Sequence, residues 1–157
     1  MEQMKTTTRK PSRAERNNNP LNIRRTSTLW KGQLSGKAAT DMQFCQFDSA
    51  KWGWRAAFWL LTRTYYHKWG LHTVRDIIMR WAPPQDRNDT EAYISRVCTM
   101  TGLTATETMP IPTLRCTEWM KLAVAMAVVE SGTQALDYFA MLDGWQLCRE
   151  DAARGGF

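Results

Sequence analysis

The sequence predicts a mainly helical domain, α+β at most, with one small β-hairpin. Three observations carry this. Apolar residues recur at helical spacing in five segments. Most of these segments are bounded by a capping residue, a glycine or a proline. One stretch, residues 28–48, alternates loosely around Gly32 and Gly36, as an irregular hairpin does. A chain of 157 residues, 43% hydrophobic and 23% charged, suits a single domain with a real core.

Residues 1–16 are polar and basic with no apolar centre, which predicts a flexible arm before a single domain over 17–157. The arm is not a secretory signal, and no stretch is apolar for long enough to span a bilayer. Asn17 to Asn22 reads as a structured turn, since asparagine bonds nearby backbone and tolerates left-handed geometry. Ser49 is the expected cap of a helix to about Trp69, with Trp54, Phe58, Leu61 and Tyr65 at helical spacing and Gly70 as its stop. Thr73 caps a short helix through Trp81, which Pro83-Pro84 ends. Asp89 or Thr90 caps a helix over 90–100 that stops before Gly102. A Thr/Pro-rich connector then leads to a strongly apolar helix, 113–131, closed by Gly132, and to a last helix over 134–148.

The charge of +6 favours anionic partners in general. No run of Lys or Arg exceeds two residues, and neither a helix-turn-helix nor a zinc pattern is present, so no specific nucleic-acid partner is expected. Cys45, Cys98, Cys116 and Cys148 form no CxxC pair, and His67 and His72 are badly spaced for a metal. The cysteines are expected reduced and buried, although their even number leaves disulfides open. No metal or cofactor is implied. The eight tryptophans are mostly expected in the core, although Trp also stacks on sugar rings and bases.

Glu130 stands out as a carboxylate at the end of an apolar helix, on the face of Met126, Ala123 and Trp119. Apolar neighbours disfavour its charged form and raise its pKa. A carboxyl kept protonated near neutral pH is what glycoside cleavage needs for proton donation to the leaving oxygen. The plain alternative is a surface residue on a last turn, where its charge faces the negative end of the helix dipole. Asn18, Asn19 and Asn22 carry amides suited to sugar hydroxyl and acetamido groups, and a self-bonded turn explains them equally well. Trp81, Asn88, Thr90 and Tyr93 are placed to line a groove. For Trp81 and Thr90 taken separately, a core tryptophan beside a capped helix start is the better reading. Asp41 is a weak second carboxylate.

A run of motifs resembles a known family: Asn18-Asn-Pro-Leu-Asn-Ile-Arg24, Trp30-Lys-Gly32, Phe44-Cys-Gln-Phe-Asp-Ser49, Gly53-Trp-Arg-Ala56, Arg80-Trp-Ala-Pro-Pro84, and Asn88-Asp-Thr-Glu-Ala-Tyr-Ile94. Their order is similar to that of the structural protein P5-like family of phages and prophages. These proteins also occur in Bacteroides-type genomes and are tied to virion-associated cell-wall lysis. The similarity covers about residues 16–132, and its most specific block is Trp81-Ala-Pro-Pro with Asn88, Thr90 and Tyr93. Leu21 stands where the family commonly has glycine. Gln85-Asp86-Arg87 stands where an acidic residue commonly precedes the asparagine, so only Asp86 can take that acid's place. More distantly, Glu130-Ser131-Gly132 resembles the helix end that carries the catalytic glutamate of lytic transglycosylases. In related glucosaminidases, an Asn-Asn loop and a Phe-x-x-(Tyr/Phe)-Asp-Ser segment follow that glutamate; here they precede it. The resemblance therefore implies a lysozyme-like helical domain, circularly permuted.

The function expected from these readings is cleavage of the glycan strand of peptidoglycan, as a lytic transglycosylase or muramidase-type glycosidase. Glu130 would be the general acid/base, and Asp41 a second carboxylate if it faces the site. Asn18, Asn19, Asn22, Arg24, Trp30, Trp81, Asn88, Thr90 and Tyr93 would bind substrate. The competing expectation is a non-catalytic glycan-binding virion protein. With no signal peptide, the protein is expected to be made in the cytoplasm and to reach the wall after release or within a virion or secretion particle.

Overall fold

The structure is a computed structural model and describes residues 9–113 and 115–155. It is mainly helical: α1 (Arg13–Arg16), α2 (Ala50–Phe58) running into a π-helical segment (Trp59–Lys68), α3 (Val74–Trp81), α4 (Thr90–Thr101), α5 (Thr117–Ser131) and α6 (Tyr138–Ala153).

Part of the expected arm is helical. Ser12 and Glu15 form a reciprocal capping box, which satisfies two otherwise orphaned N–H groups and turns residues 13–16 into helix. The rest of the expected arm, residues 1–8, lies outside the described residues. The hairpin over 28–48 does not form. Only isolated bridges join Arg24 to Phe44 and Gln33 to Phe47. Gly32 and Gly36 take positive φ and break the alternation. Side chains then serve the backbone in place of a ladder. Gln46 Oε1 accepts the N–H groups of Thr40 and Asp41, and Asn19 Nδ2 donates to the carbonyls of Ile23 and Cys45.

The expected helix over 49–69 is present, but it widens at Trp59. The hydroxyl of Thr62 donates to the carbonyl of Phe58 at 2.6 Å, and Trp69 N–H reaches back five residues to Thr64. Such π-turns are uncommon and cluster at functional sites. Thr73 and Asp89 cap α3 and α4 as expected, each accepting a backbone N–H from three residues on. Gly102 and Gly132 close α4 and α5 in left-handed geometry. Helix α5 starts at Thr117 rather than 113, with Cys116 as its N-cap in extended geometry and Pro110 and Pro112 in the connector ahead of it. Helix α6 starts later than 134 because Asp137 caps it, accepting from Ala140 N–H at 2.9 Å.

The core lies between α5, which buries Trp119, Leu122, Ala123, Met126 and Ala127, and the α2–α6 pair. Those two helices cross closely at Gly144, where a Cβ would stand 2.8 Å from Arg55 N and Lys51 O. Phe58 meets Trp145 edge-on there, with ring centres 5.0 Å apart. The fully buried Arg55 guanidinium pairs with Asp151 at 2.8 Å. All four cysteines are free; Cys45, Cys116 and Cys148 are buried and Cys98 is half-buried. Among the described residues no helix is long and apolar enough to cross a membrane.

Candidate functional site

A cleft of about 1140 Å³ opens between the end of α5, the residues 22–30 loop, the π-helical segment and the α3–α4 corner. It exceeds the roughly 300–1,000 Å³ common for small-molecule sites, so its size suits an extended ligand. Glu130, Asn22, Arg24, Trp30, Trp81, Asn88 and Tyr93 all line it.

Glu130 sits on the last turn of α5, half-buried against the cleft wall. Burial pushes its carboxyl above the usual carboxylate range. The indole N–H of Trp81 and the charge of Arg24 oppose that rise without cancelling it. Trp81 Nε1 donates to Glu130 Oε1 at 3.2 Å, which fixes the carboxyl's orientation and leaves the group able to hold a proton. Tyr93 lies one turn into α4, its hydroxyl buried without a hydrogen bond of good geometry among the described residues. Burial and the nearby Glu130 charge push its phenol well up, so the ring stands neutral beside the acid.

The corner that presents Trp81 is built by the block around it. The last carbonyls of α3 have no partner within their helix. Thr90 Oγ1 donates to Ala82 O at 2.5 Å and Asn88 Nδ2 donates to Pro83 O at 3.1 Å. Thr90 is therefore buried scaffold, contrary to its expected role in binding substrate; its hydroxyl is bonded to the backbone and it does not line the cleft. Asn88 is exposed at the rim, with Asp86 beside it on the turn Pro84–Asp86.

The asparagine loop divides. Asn22, at φ 51°, donates from Nδ2 to the main-chain carbonyl of Glu130 at 3.3 Å. Residues 108 apart in sequence thus meet at the cleft, with Asn22 satisfying an orphaned carbonyl on the catalytic candidate's own turn. Asn18 and Asn19 do not reach the cleft. Asn19 is fully buried and bonded to three backbone groups, and Asn18 donates to Phe47 O and faces a separate, smaller pocket. Turn chemistry, the alternative weighed from sequence, accounts for both. Asp41 is likewise structural. It takes two bonds from Arg13 at 2.7 Å, one from Asn17 Nδ2, and the N–H groups of Gln43 and Phe44. The Arg13 guanidinium holds its carboxyl well below the usual range, and it does not line the cleft, so it cannot serve as the second carboxylate there.

The opposite wall went unread in the sequence. Trp59, Arg63, His67 and Lys68 project from the π-helical segment into the cleft with Tyr65 and Trp69. Trp69 is 43% exposed and stacks on Tyr65 at 5.3 Å, with the Arg80 guanidinium 4.6 Å from its ring centre. The spacing Trp59, Arg63, His67 is one residue per turn on a single helix face. That aromatic and cationic stripe was the signal available, and it was masked by the apolar stripe of Trp54, Phe58, Leu61 and Tyr65 beside it.

The fold and cleft define a mainly helical protein with one half-buried acid in an aromatic groove. No known protein-family profile matches the chain. It is similar to protein P5 of Pseudoalteromonas phage PM2, with 34% identity over 138 residues, which cover 86% of this chain and 81% of the phage protein. The chain belongs to the family of that phage protein.

Proposed function

We propose that the protein cleaves the glycan strand of peptidoglycan, with Glu130 as its general acid and then its base. One observation carries the reading: the carboxyl of Glu130 is half-buried in a cleft of about 1140 Å³, raised towards its protonated form and oriented by Trp81. In this mechanism the protonated carboxyl gives its proton to the oxygen of the β-1,4 bond as that bond to the sugar's C1 breaks. The 6-hydroxyl oxygen of the same sugar then closes on C1, and the carboxylate takes the hydroxyl proton. No water is consumed, and a 1,6-anhydro sugar results. With Asp41 held away from the cleft, Asp86 on the rim is the other carboxylate among the described lining residues, and it is the candidate base for the hydrolytic variant.

Arg24 and Asn22 stand on the same loop as positioning groups, while Trp30, Trp81, Trp69 and Tyr93 supply flat surfaces for sugar rings. The meeting of Asn22 with the glutamate's turn supports a circularly permuted lysozyme-like arrangement, in which an amide-bearing loop comes before the acid in sequence and beside it in space. The competing reading, a phage structural protein that only binds glycan, needs the same aromatic groove but not a raised carboxyl. Incubating purified sacculi with the wild type and with Glu130→Gln decides between them. The enzyme reading expects soluble sugar from the first and none from the second. Equal release from both removes Glu130 from the chemistry, and release from neither leaves only binding.

A further inference from the structure

We infer that the π-helical wall of the cleft is an anion subsite, and that the ligand it takes is the carboxylate-bearing stem peptide carried by the muramic acid of the strand. This rests on the glycan reading above and adds to it a substrate class: peptide-substituted rather than bare glycan.

Arg63, His67 and Lys68 line one side of the cleft, and Arg24 lies across it. Among the described residues none of Arg24, Arg63 and Lys68 forms an ion pair, whereas Arg13, Arg55 and Arg75 each do. More positive charge stands behind the wall. Arg63 and Arg149 both depress the proton affinity of His67, and Arg55, Arg63 and Arg149 all act on the buried thiol of Cys148. These guanidiniums therefore converge on one region. Two flank the Trp59 ring, Arg55 at 5.1 Å and Arg63 at 5.7 Å from its centre. The Arg55 side chain is fully buried, and among the described residues neither its Nη1 nor its Nη2 has a hydrogen-bond partner; Arg149 Nη1 is also buried without one there. Asp151 is the carboxylate that pairs in this region, and it is shared between Arg55 and Lys31.

Positive charge crowded into a low-dielectric wall with too few counter-charges raises the potential at the cleft surface. It favours an anion over the neutral hydroxyls and acetamides of bare glycan. The half-buried Arg63 and the exposed Lys68, lining the cleft with Trp59 and Trp69, also suit a flexible peptide, with planar carboxylates for the guanidinium and apolar surface for the chain. A polyanion such as nucleic acid shares the charge but makes no use of the proton-holding Glu130 in the same cleft. His67, depressed by burial and its cationic neighbours, is neutral at physiological pH and acts as a hydrogen-bond donor rather than a third charge.

The test uses the full chain with Glu130→Gln to suppress turnover, and calorimetric titration with three probes: a disaccharide tetrapeptide, chitotetraose as a neutral sugar, and a single-stranded oligonucleotide. The disaccharide tetrapeptide should bind the more tightly of the two sugars. Adding Arg63→Gln and Lys68→Gln should weaken it by about tenfold or more, the loss of one or two charge-assisted bonds, while chitotetraose changes by less than about twofold. A conservative Arg63→Lys should restore part of the loss, which a folding defect would not allow. Equal affinity for the two sugars, or equal loss of both in the double variant, overturns the subsite while leaving cleavage by Glu130 intact. Oligonucleotide binding that outcompetes the disaccharide tetrapeptide at physiological salt also overturns it. Failure to bind either sugar contradicts the glycan reading itself and takes this inference with it.

Discussion

Replacing Gly53 by alanine should damage both the fold and the cleft, although alanine is the better helix former. Gly53 lies in the second turn of α2, where a Cβ would stand 1.8 Å from the carbonyl oxygen of Asn18, 2.9 Å from its carbon and 3.0 Å from Pro20 Cδ. All three belong to the asparagine loop, and two are backbone, so no side chain can swing aside. Overpacking of this kind costs about 1–3 kcal/mol, and contact with fixed backbone places it near the upper figure. Alanine returns about 1 kcal/mol in helix propensity. A net loss of about 2 kcal/mol remains, which lowers Tm by about 4–8 °C in a chain of this size. The loop also carries Asn22 to the Glu130 carbonyl, so its displacement should reduce sugar release further than stability alone explains. Thermal unfolding by circular dichroism gives the first number. Sugar release, compared with that of Gly102→Ala, gives the second, because Gly102 has φ 72° and nothing within 4 Å of its Cβ position, far from this contact. A Tm within about 2 °C of wild type would refute the packing of the loop against α2.

Glu130→Gln should gain stability on the wild type as pH rises. The folded state raises this carboxyl above its unfolded value, so the stability it contributes is full below the unfolded value and is lost as pH rises through the folded one. Paired Tm measurements should coincide near pH 4 and diverge in favour of the variant towards pH 8; the opposite order contradicts the burial of the acid. Trp81→Phe removes the N–H that favours the charged carboxyl, so the alkaline limb of wall cleavage should move to higher pH. An unmoved limb would mean that another group sets it. Asp41→Ala should lower Tm most at neutral pH, because a carboxyl held low by Arg13 contributes stability above its unfolded value and loses it as pH falls. The deficit should shrink below about pH 4, and sugar release per folded molecule should persist. Loss of release without loss of stability would return Asp41 to the site.

The elements that were legible in sequence are those whose signals are local. Thr73, Asp89, Gly102 and Gly132 act on residues three or four away, and the first two start their helices and the last two close theirs where expected. The start of α6 was misplaced because Leu136 keeps the helical spacing while Asp137 supplies the cap. The hairpin failed because alternation over 28–48 is a weak signal against two positive-φ glycines, and side-chain bonds from Gln46 and Asn19 reach across distances no period encodes.

In the site, Glu130 was legible because a lone acid on an apolar helix is out of place in a plain core, whereas Trp81 taken alone read better as a core residue and only its block with Asn88 and Tyr93 pointed to a groove. Asn18 and Asn19 carried the same residue type as Asn22, and only the fold separates the one that reaches α5 from the two that bond their own loop. Asp41 was ambiguous for a like reason, since its partner Arg13 lies in the stretch read as an unstructured arm. The π-helical wall was hard to read because the stripe of Trp59, Arg63 and His67 lies beside the stronger apolar stripe, and because five residues per hydrogen-bonded turn add Lys68 to the face of Arg63, which α-helical spacing does not anticipate.

Mass analysis of the fragments released from purified peptidoglycan tests the role of Glu130 most directly. Wild-type protein should release disaccharide units lighter by one water than their hydrolysed counterparts, the mark of the 1,6-anhydro ring, and Glu130→Gln should release none. Hydrated disaccharides from the wild type would assign the second step to water and a second carboxylate. The same fragments appearing with both proteins, or with neither, would contradict catalysis by Glu130.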